Sequence, residues 1–468
     1  MKKNVGAFAV AVTVCLGILL CMPDQAAAQS PSIQSSTMSG PPYPAGTDWK
    51  QISTPHHRLI FPEGYEDDAL RAARLTDRLW APVQQDFGIE VPPLPLVLNT
   101  HRQVSNGYVT LAPRHSEWYA FNSQQQFAGP LDWYSLLALH EGRHAAQFSA
   151  LNRGFTRFAR WAAGEYGWAF FSMYSMPLWY FEGDAILSET AFSSGGRGRS
   201  AAFHREFRAS VGEGRPVSYS QAYLGSYRSH FPNHYHLGFP LVTYIRLTYG
   251  EDAWNGIIEK TARFSFWPLR FHSAVKQITG RSLRRVYRDA LEYVNDYFAL
   301  LEAADRERGY TPAKGLPTTA DQGSVWTNYL PVAVEGGELF AIRYGDRDAA
   351  ALVRLDLSDS GDHHASEKPV VSIPGGLRRM SLRNGVALWT EELPHPLWSK
   401  VSTSEVIRYE LESGRRRRLT RGGAYQAPAL SPEGRRVAVI RALPGGGGRL
   451  ELLDAESGKL FAEHEHRP

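Results

Sequence analysis

Cysteine is nearly absent from these 468 residues: Cys15 and Cys21 are the only two, and both lie within the first 28 positions. If that segment is removed no thiol is left, so neither a disulfide framework nor a cysteine-based metal site can organise the remainder. A large excess of one charge is missing too, the formal net charge being +4. The densest basic run, Arg415 to Arg418, sits between a strand-like segment and a turn and reads as a solvated face, so no nucleic-acid partner is expected. What is present, 43% hydrophobic, 12% aromatic and 21% charged residues, is the composition of folded protein. The length calls for two or three domains, large enough to hold their cores without disulfides.

Lys2 and Lys3, the apolar run Val5 to Met22 and the small residues Ala26-Ala27-Ala28 before Gln29 read as an export signal over 1–28. The apolar run is somewhat longer than a usual signal core, so an uncleaved anchor stays open as the other reading. Leu20 before Cys21 argues against lipid attachment. The expected location is exported, periplasmic or associated with the cell envelope. Residues 29–50, rich in Ser, Pro, Gly and Thr, read as a flexible linker.

From Ala69 to Phe87 the apolar positions Leu70, Ala73, Leu75, Leu79 and Trp80 recur at helical spacing, and Leu94 to Leu98 reads as a buried strand. Asn106-Gly107 is a turn signal before the strand-like Tyr108 to Leu111. Gly129-Pro130 then punctuates the chain, and Leu131 to Asn152 carries a helix pattern. The helical texture runs on to about Arg306, with Leu241 to Tyr249 closed by Gly250 and Leu283 to Leu301 carrying an apolar face. Residues 51–308 are thus expected to form one mostly helical α+β domain. Gly, Pro and Thr crowd a second linker at 309–324, and 325–468 reads as short alternating strands. Two segments there repeat a pattern: Val386 to Trp389 with Val406 to Tyr409, and Val437 to Ile440 with Leu450 to Asp454.

The chemistry sits in His140-Glu141-Gly142-Arg143-His144. Residues four apart share a helix face, so both imidazoles can reach one metal ion while Glu141 points to the water that ion binds. Bound zinc lowers a water's pKa from about 15.7 towards roughly 7, and Glu141 is then placed to take the proton as general base. Without a metal, Glu141 would be a carboxylate near the core with no purpose. Gln147 and Ala150 stand where a metzincin needs Gly and His, which excludes that class. A third ligand must come from elsewhere, and Glu182, within Pro177 to Ala185 on a second helix whose small residues would let it lie close to the first, offers one. Glu189 is suited to orienting a histidine.

Two motifs together, H-E-x-x-H-x-x-Q at His140 to Gln147 and W-x-x-E-G-x-A-x-x-x-E at Trp179 to Glu189, resemble the gluzincin clan of zinc metallopeptidases, which includes thermolysin and the aminopeptidase N family. The resemblance covers about residues 57 to 300. It implies a zincin-like fold, a Zn2+ cofactor, Glu182 as third ligand and a protein or peptide substrate. It also implies a Tyr or His that stabilises the oxyanion, for which Tyr235 and His236 are both candidates. The strand before the zinc helix would bind substrate backbone by strand addition, which suits Asn106 to Leu111. One departure is the long insert from Ala145 to Phe181. Its aromatic-rich part, Trp161 to Tyr174, reads as a helical hairpin packed on the core rather than a membrane contact, because Glu165 and several small residues interrupt it.

Leu419-Thr420 and Pro428 to Arg435, followed by an apolar strand and Leu452-Leu453-Asp454, resemble the blade motif of TolB-like and other WD40-like propellers over about 325 to 465. About three blades fit, too few to close, so the expected all-β part is an incomplete β-propeller, either truncated or completed by a partner. The sequence is therefore expected to encode an exported zinc metallopeptidase. The alternative is a catalytically weak or inactive envelope protein that uses both parts to dock a partner. No Gly-rich exopeptidase motif precedes the zinc helix, which tilts the reading towards cleavage of proteins or oligopeptides.

Overall fold

A computed structural model describes residues 41–121, 131–212, 217–226, 229–309, 311, 327–345, 349–356, 366–374 and 379–466. The expected export signal at 1–28, most of the 29–50 linker, Gly129-Pro130 and nearly all of the 309–324 linker lie outside the described residues. The last two positions of the first linker, Trp49 and Lys50, are not loop but open the first strand.

The chain begins with β1 (Trp49–Ser53), β2 (His57–Pro62), α1 (Glu66–Gln84), β3 (Leu94–Asn99), β4 (Gly107–Leu111) and β5 (Arg114–Tyr119). Acidic residues Glu66, Asp67 and Asp68 open α1, where they complement the positive end of the helix dipole. The five strands form one sheet in the order β1-β2-β3-β5-β4. β2, β3 and β5 run parallel, while β4 is an antiparallel edge strand. Strand alternation turns Leu94, Leu96 and Leu98 to one side, and Leu59, Leu96, Leu98 and Trp118 bury that face against α1 and the next helix.

The helices are α2 (Trp133–Leu151), α3 (Gly154–Ser175), α4 (Leu178–Ala191), α5 (Ala201–Gly212), α6 (Tyr219–Leu224), α7 (His234–Tyr249), α8 (Glu251–Arg263), α9 (Arg270–Thr279) and α10 (Leu283–Arg308). Asp132 caps α2 by accepting the Ser135 N–H at 2.8 Å. Almost every residue of α2 is buried, the polar His140, Glu141, Arg143, His144 and Gln147 among them. α3 reverses at Ala163 and Gly164, where Gly164 takes φ +62°. The rings of Phe155 and Phe171 are 4.9 Å apart, whereas sixteen residues of straight helix would separate them by about 24 Å. α3 is therefore a helical hairpin. No described helix is long and apolar enough to cross a membrane.

α4 and α7 cross with almost no space between their backbones. A Cβ on Gly183 would lie 2.1 Å from the carbonyl carbon of Gly238, and one on Gly238 would lie 2.1 Å from the Trp179 oxygen. Glycine at both positions is what permits this approach. The small residue after Glu182 thus serves the contact with α7, whereas the sequence suggested it would serve the zinc helix.

Beyond α10 the described residues form three four-stranded antiparallel sheets, each with its strands in chain order. The first holds β6 (Thr327–Glu335), β7 (Glu338–Gly345), β8 (Ala351–Asp356) and β9 (Ser366–Ser372); the second β10 (Ser381–Arg383), β11 (Val386–Pro394), β12 (Ser402–Glu410) and β13 (Arg416–Arg418). The third holds β14 (Tyr425–Leu430), β15 (Arg436–Ala442), β16 (Gly448–Asp454) and β17 (Leu460–His466). The repeated segments are the inner strands of the second and third sheets. Ala387 and Trp389 pack towards the first sheet and Leu388 and Val406 towards the third, so the second is buried on both faces. The basic run on and beside β13 is matched by carboxylates: Arg415 meets Glu410, Arg416 meets Glu391 and Arg417 meets Glu456.

Candidate metal centre

On α2, His140 and His144 occupy one face with ring centroids 4.7 Å apart. Across from them α4 presents Glu182, whose Oε2 lies 3.2 Å from Nε2 of His140 and 3.5 Å from Nε2 of His144. One ligand atom from each of the three falls within 4.8 Å of the others, a grouping that could hold a metal ion. Both histidines turn Nε2 inward because Nδ1 is occupied. His140 Nδ1 lies 2.7 Å from Glu189 Oε1, and His144 Nδ1 lies 2.8 Å from Gln147 Oε1. A proton donated from Nδ1 to either acceptor leaves a lone pair on Nε2, the form a metal requires.

The acceptors are themselves fixed. Gln147 donates to the Phe181 carbonyl and to Asp184, both at 3.0 Å. Glu189, fully buried, accepts from Arg197 Nε at 3.1 Å and from the Arg197 backbone N–H at 3.2 Å. Burial opposes its ionisation, but the Arg197 charge and the His140 hydrogen bond outweigh it and hold its pKa down to about 2. Burial likewise works against a charge on His140, yet its bonds to Glu182 and Glu189 push its pKa up to about 9 when no metal is bound. The Glu182 carboxyl is held well below its usual range against the cost of burial by the two histidines.

Glu141 is buried close enough to His140, His144 and Glu182 to feel their charges. Its Oε2 is buried with no hydrogen-bond partner among the described residues, and burial raises its pKa. An orphaned carboxylate oxygen beside three metal-type donors fits a site built around an ion and its water. β4 passes directly over it: a Cβ on Gly107 would be 2.7 Å from Leu137 Cδ2 and 2.9 Å from Glu141 Oε1. The Asn106 carbonyl accepts from Tyr119 N–H at 2.9 Å. Antiparallel alternation then turns the backbone groups of Gly107 and Val109 towards the open edge, beside Glu141.

The two oxyanion candidates part company. Tyr235, at the start of α7, has its ring 6.4 Å from that of His140, and the Arg197 guanidinium lies 5.2 Å from its ring centre. Burial, then the nearby charge of Glu182, keep its hydroxyl protonated and able to donate. His236 is not brought to the triad. Its ring stacks on Phe203 at 4.3 Å, with Nε2 2.8 Å from the Phe203 carbonyl and Nδ1 2.8 Å from Asn233 Oδ1. Neighbours on a helix point about 100° apart, so only one of the two can face the site.

Two elements escaped the sequence reading. Arg197 enters from the turn after α4, its Nη2 2.7 Å from His140 Nδ1; the basic residue in that Gly-rich turn carried no motif to single it out. Behind the site, Arg143 is buried and donates to Asp184 Oδ2 and Asp86 Oδ2, both at 2.7 Å. Arg246 of α7 closes the group with bonds to Asp184 Oδ1 at 2.8 Å and Asp86 Oδ2 at 2.6 Å. This quartet ties the short 3-10 turn Gln85–Phe87 after α1 to α2, α4 and α7, with Arg143 next to His144 and Asp184 two residues past Glu182.

No family model and no curated protein matches the chain. Among solved structures it is similar to the crystal structure of TolB from Acinetobacter baumannii, with 15% identity and a TM-score of 0.18. That match covers 30% of this chain and 43% of that one, so the chain spans less than half of that neighbour's length.

Proposed function

We propose that the chain is an exported zinc-dependent peptidase of gluzincin type that hydrolyses protein or peptide substrates. The observation that carries this is the convergence of His140 Nε2, His144 Nε2 and Glu182 Oε2 beside a buried Glu141 oxygen without a partner. His140, His144 and Glu182 would hold Zn2+, which when bound supplies a Lewis acid and an acidified water. Glu189 and Gln147 keep both Nδ1 protons in place, so the donor atoms stay aimed inward. Glu141, its pKa raised by burial, is suited to take a proton at its free oxygen and deliver it to a leaving amine. Gly107 and Val109 offer backbone groups to an extended peptide, fixing its carbonyl near Glu141. Tyr235 would donate its hydroxyl proton to a developing oxyanion.

The three stacked four-stranded sheets are read as successive blades of a TolB-like or WD40-like propeller that serves as a scaffold or docks an envelope partner. The basic and apolar start, Lys2 to Met22, supports export to the periplasm or cell envelope. A library of fluorogenic peptides tests the activity, with Glu141→Gln as the control. The expected result is hydrolysis by the native chain and, for Glu141→Gln, zinc retained with turnover lost by two orders of magnitude or more, roughly the worth of a general base. Zinc-loaded native protein without hydrolysis would favour the binding-protein reading instead.

A further inference from the structure

The α3 hairpin and the loop between α8 and α9 form one unit. Thr156 Oγ1 donates to Ser265 Oγ at 2.8 Å, and the rings of Phe155 and Phe266 are 4.8 Å apart. The outer surface of this unit is aromatic. Trp161 is 82% exposed, Tyr166 76%, Trp267 62% and Leu269 73%, with Phe158 and Phe266 between them. Trp161 and Tyr166 flank the hairpin's reversal, so they project from its tip. Leu269 is held outward in the left-handed region at φ +59°, a conformation rare for a bulky residue and retained where the surroundings enforce it.

The charge around this surface is one-sided. Residues 153–176 and 260–276 carry the basic Arg153, Arg157, Arg160, Lys260, Arg263, Arg270 and Lys276 but a single acid, Glu165. Glu165 is turned away to accept the Arg114 backbone N–H at 3.0 Å. Seven basic residues against one acid give these two stretches a formal charge of +6, beside +4 for the whole chain. Two of them, Arg263 and Arg270, lie over the Phe264 ring at 5.6 and 5.2 Å. Exposed Trp and Tyr beside Arg and Lys are the residues that settle at the boundary between lipid headgroups and acyl chains, and the positive rim complements anionic headgroups. We infer that the α3 tip and the α8–α9 loop form a surface that docks the protein on an anionic lipid bilayer, lying in the interface rather than spanning it.

Vesicle sedimentation of the full chain tests this, using phosphatidylcholine mixed with phosphatidylglycerol beside phosphatidylcholine alone. The native chain should bind the mixed vesicles more tightly, and less so as salt is raised. The triple variant Trp161→Ser, Trp267→Ser, Leu269→Ser changes only exposed side chains and should bind about tenfold more weakly with an unaltered melting temperature. Arg157→Gln with Arg263→Gln should lose the preference for the anionic lipid. Both variants keep the same N-terminal segment as the native chain, so binding contributed by Val5 to Met22 cancels in the comparison. Equal vesicle binding by native and triple-variant chains would overturn the inference, as would absence of binding by the native chain. So would a native chain that self-associates through this face, with the triple variant a monomer.

Discussion

Glu189 touches no substrate and, on this account, no metal, yet it sets which nitrogen of His140 is free. Replacing it with Gln keeps the shape but removes the charge that fixes the Nδ1 proton and holds Arg197. Glu189→Gln is expected to weaken zinc binding about 10–100-fold, measured by competition with a chromogenic chelator; an unchanged affinity would mean that Glu189 only fills space. Arg143 is expected to matter for stability. Arg143→Met leaves Arg246 as the only cation on Asp86 and Asp184 within this group, with Gln147 still donating to Asp184, and should cost about 3–5 kcal/mol in denaturant unfolding. The local part of this site was legible because a four-residue spacing on a helix fixes geometry without help from the rest of the chain. Arg197 was not, since only the packing of α4 on α2 brings its turn to His140. Nor could sequence choose between Tyr235 and His236, whose roles depend on the rotation of α7.

At the scale of elements, the site depends on how close α4 and α7 come. Tyr235 precedes Gly238 by about one turn and Glu182 precedes Gly183 by one residue, so the glycine crossing brings the tyrosine to the metal side. Gly238→Ala should force the helices apart, lower stability by about 1–3 kcal/mol and reduce turnover more than zinc content. Calorimetry and metal analysis on the same sample would check this, and loss of zinc first would contradict it. The sheets were legible as repeated alternating pairs, because period two survives whatever a strand packs against. The hairpin in α3 was legible from its composition, but its packing was only partly so. Phe155, Trp168 and Phe171 hold the two arms to the body, while Trp161 and Tyr166, two residues from the turn on either side, stay largely exposed, with the Phe158 ring 5.9 Å from that of Trp161.

For the whole molecule, the sheets and the metal-bearing part are joined by specific bonds. The His101 carbonyl accepts from Ser402 N–H at 3.0 Å, and the Ala120 carbonyl accepts from Gly445 N–H at 2.9 Å. Lys400, from the hairpin tip between β11 and β12, pairs with the buried Glu117, which also accepts from Tyr43 at 2.7 Å. Burial opposes the Glu117 charge, but Lys400 and the tyrosine hydroxyls outweigh it and depress its pKa. A depressed carboxylate stabilises the fold above its unfolded pKa of about 4.3, and that contribution is lost as pH falls through the lower folded value. Acid should therefore loosen the native junction below about pH 4, whereas Glu117→Gln should be less stable at pH 7 and lack that component of the acid loss. Lys400 also donates to Tyr108 of the edge strand at 2.8 Å, so this junction steadies the strand that passes over Glu141. Everything proposed about the chemistry rests on one ion. The most direct measurement is the metal content of the purified chain by elemental analysis, beside His144→Ala and Glu182→Ala. About one zinc per chain, lost in both variants while they remain folded, is the predicted result; an intact chain that takes up no zinc from a non-chelating buffer would contradict the account.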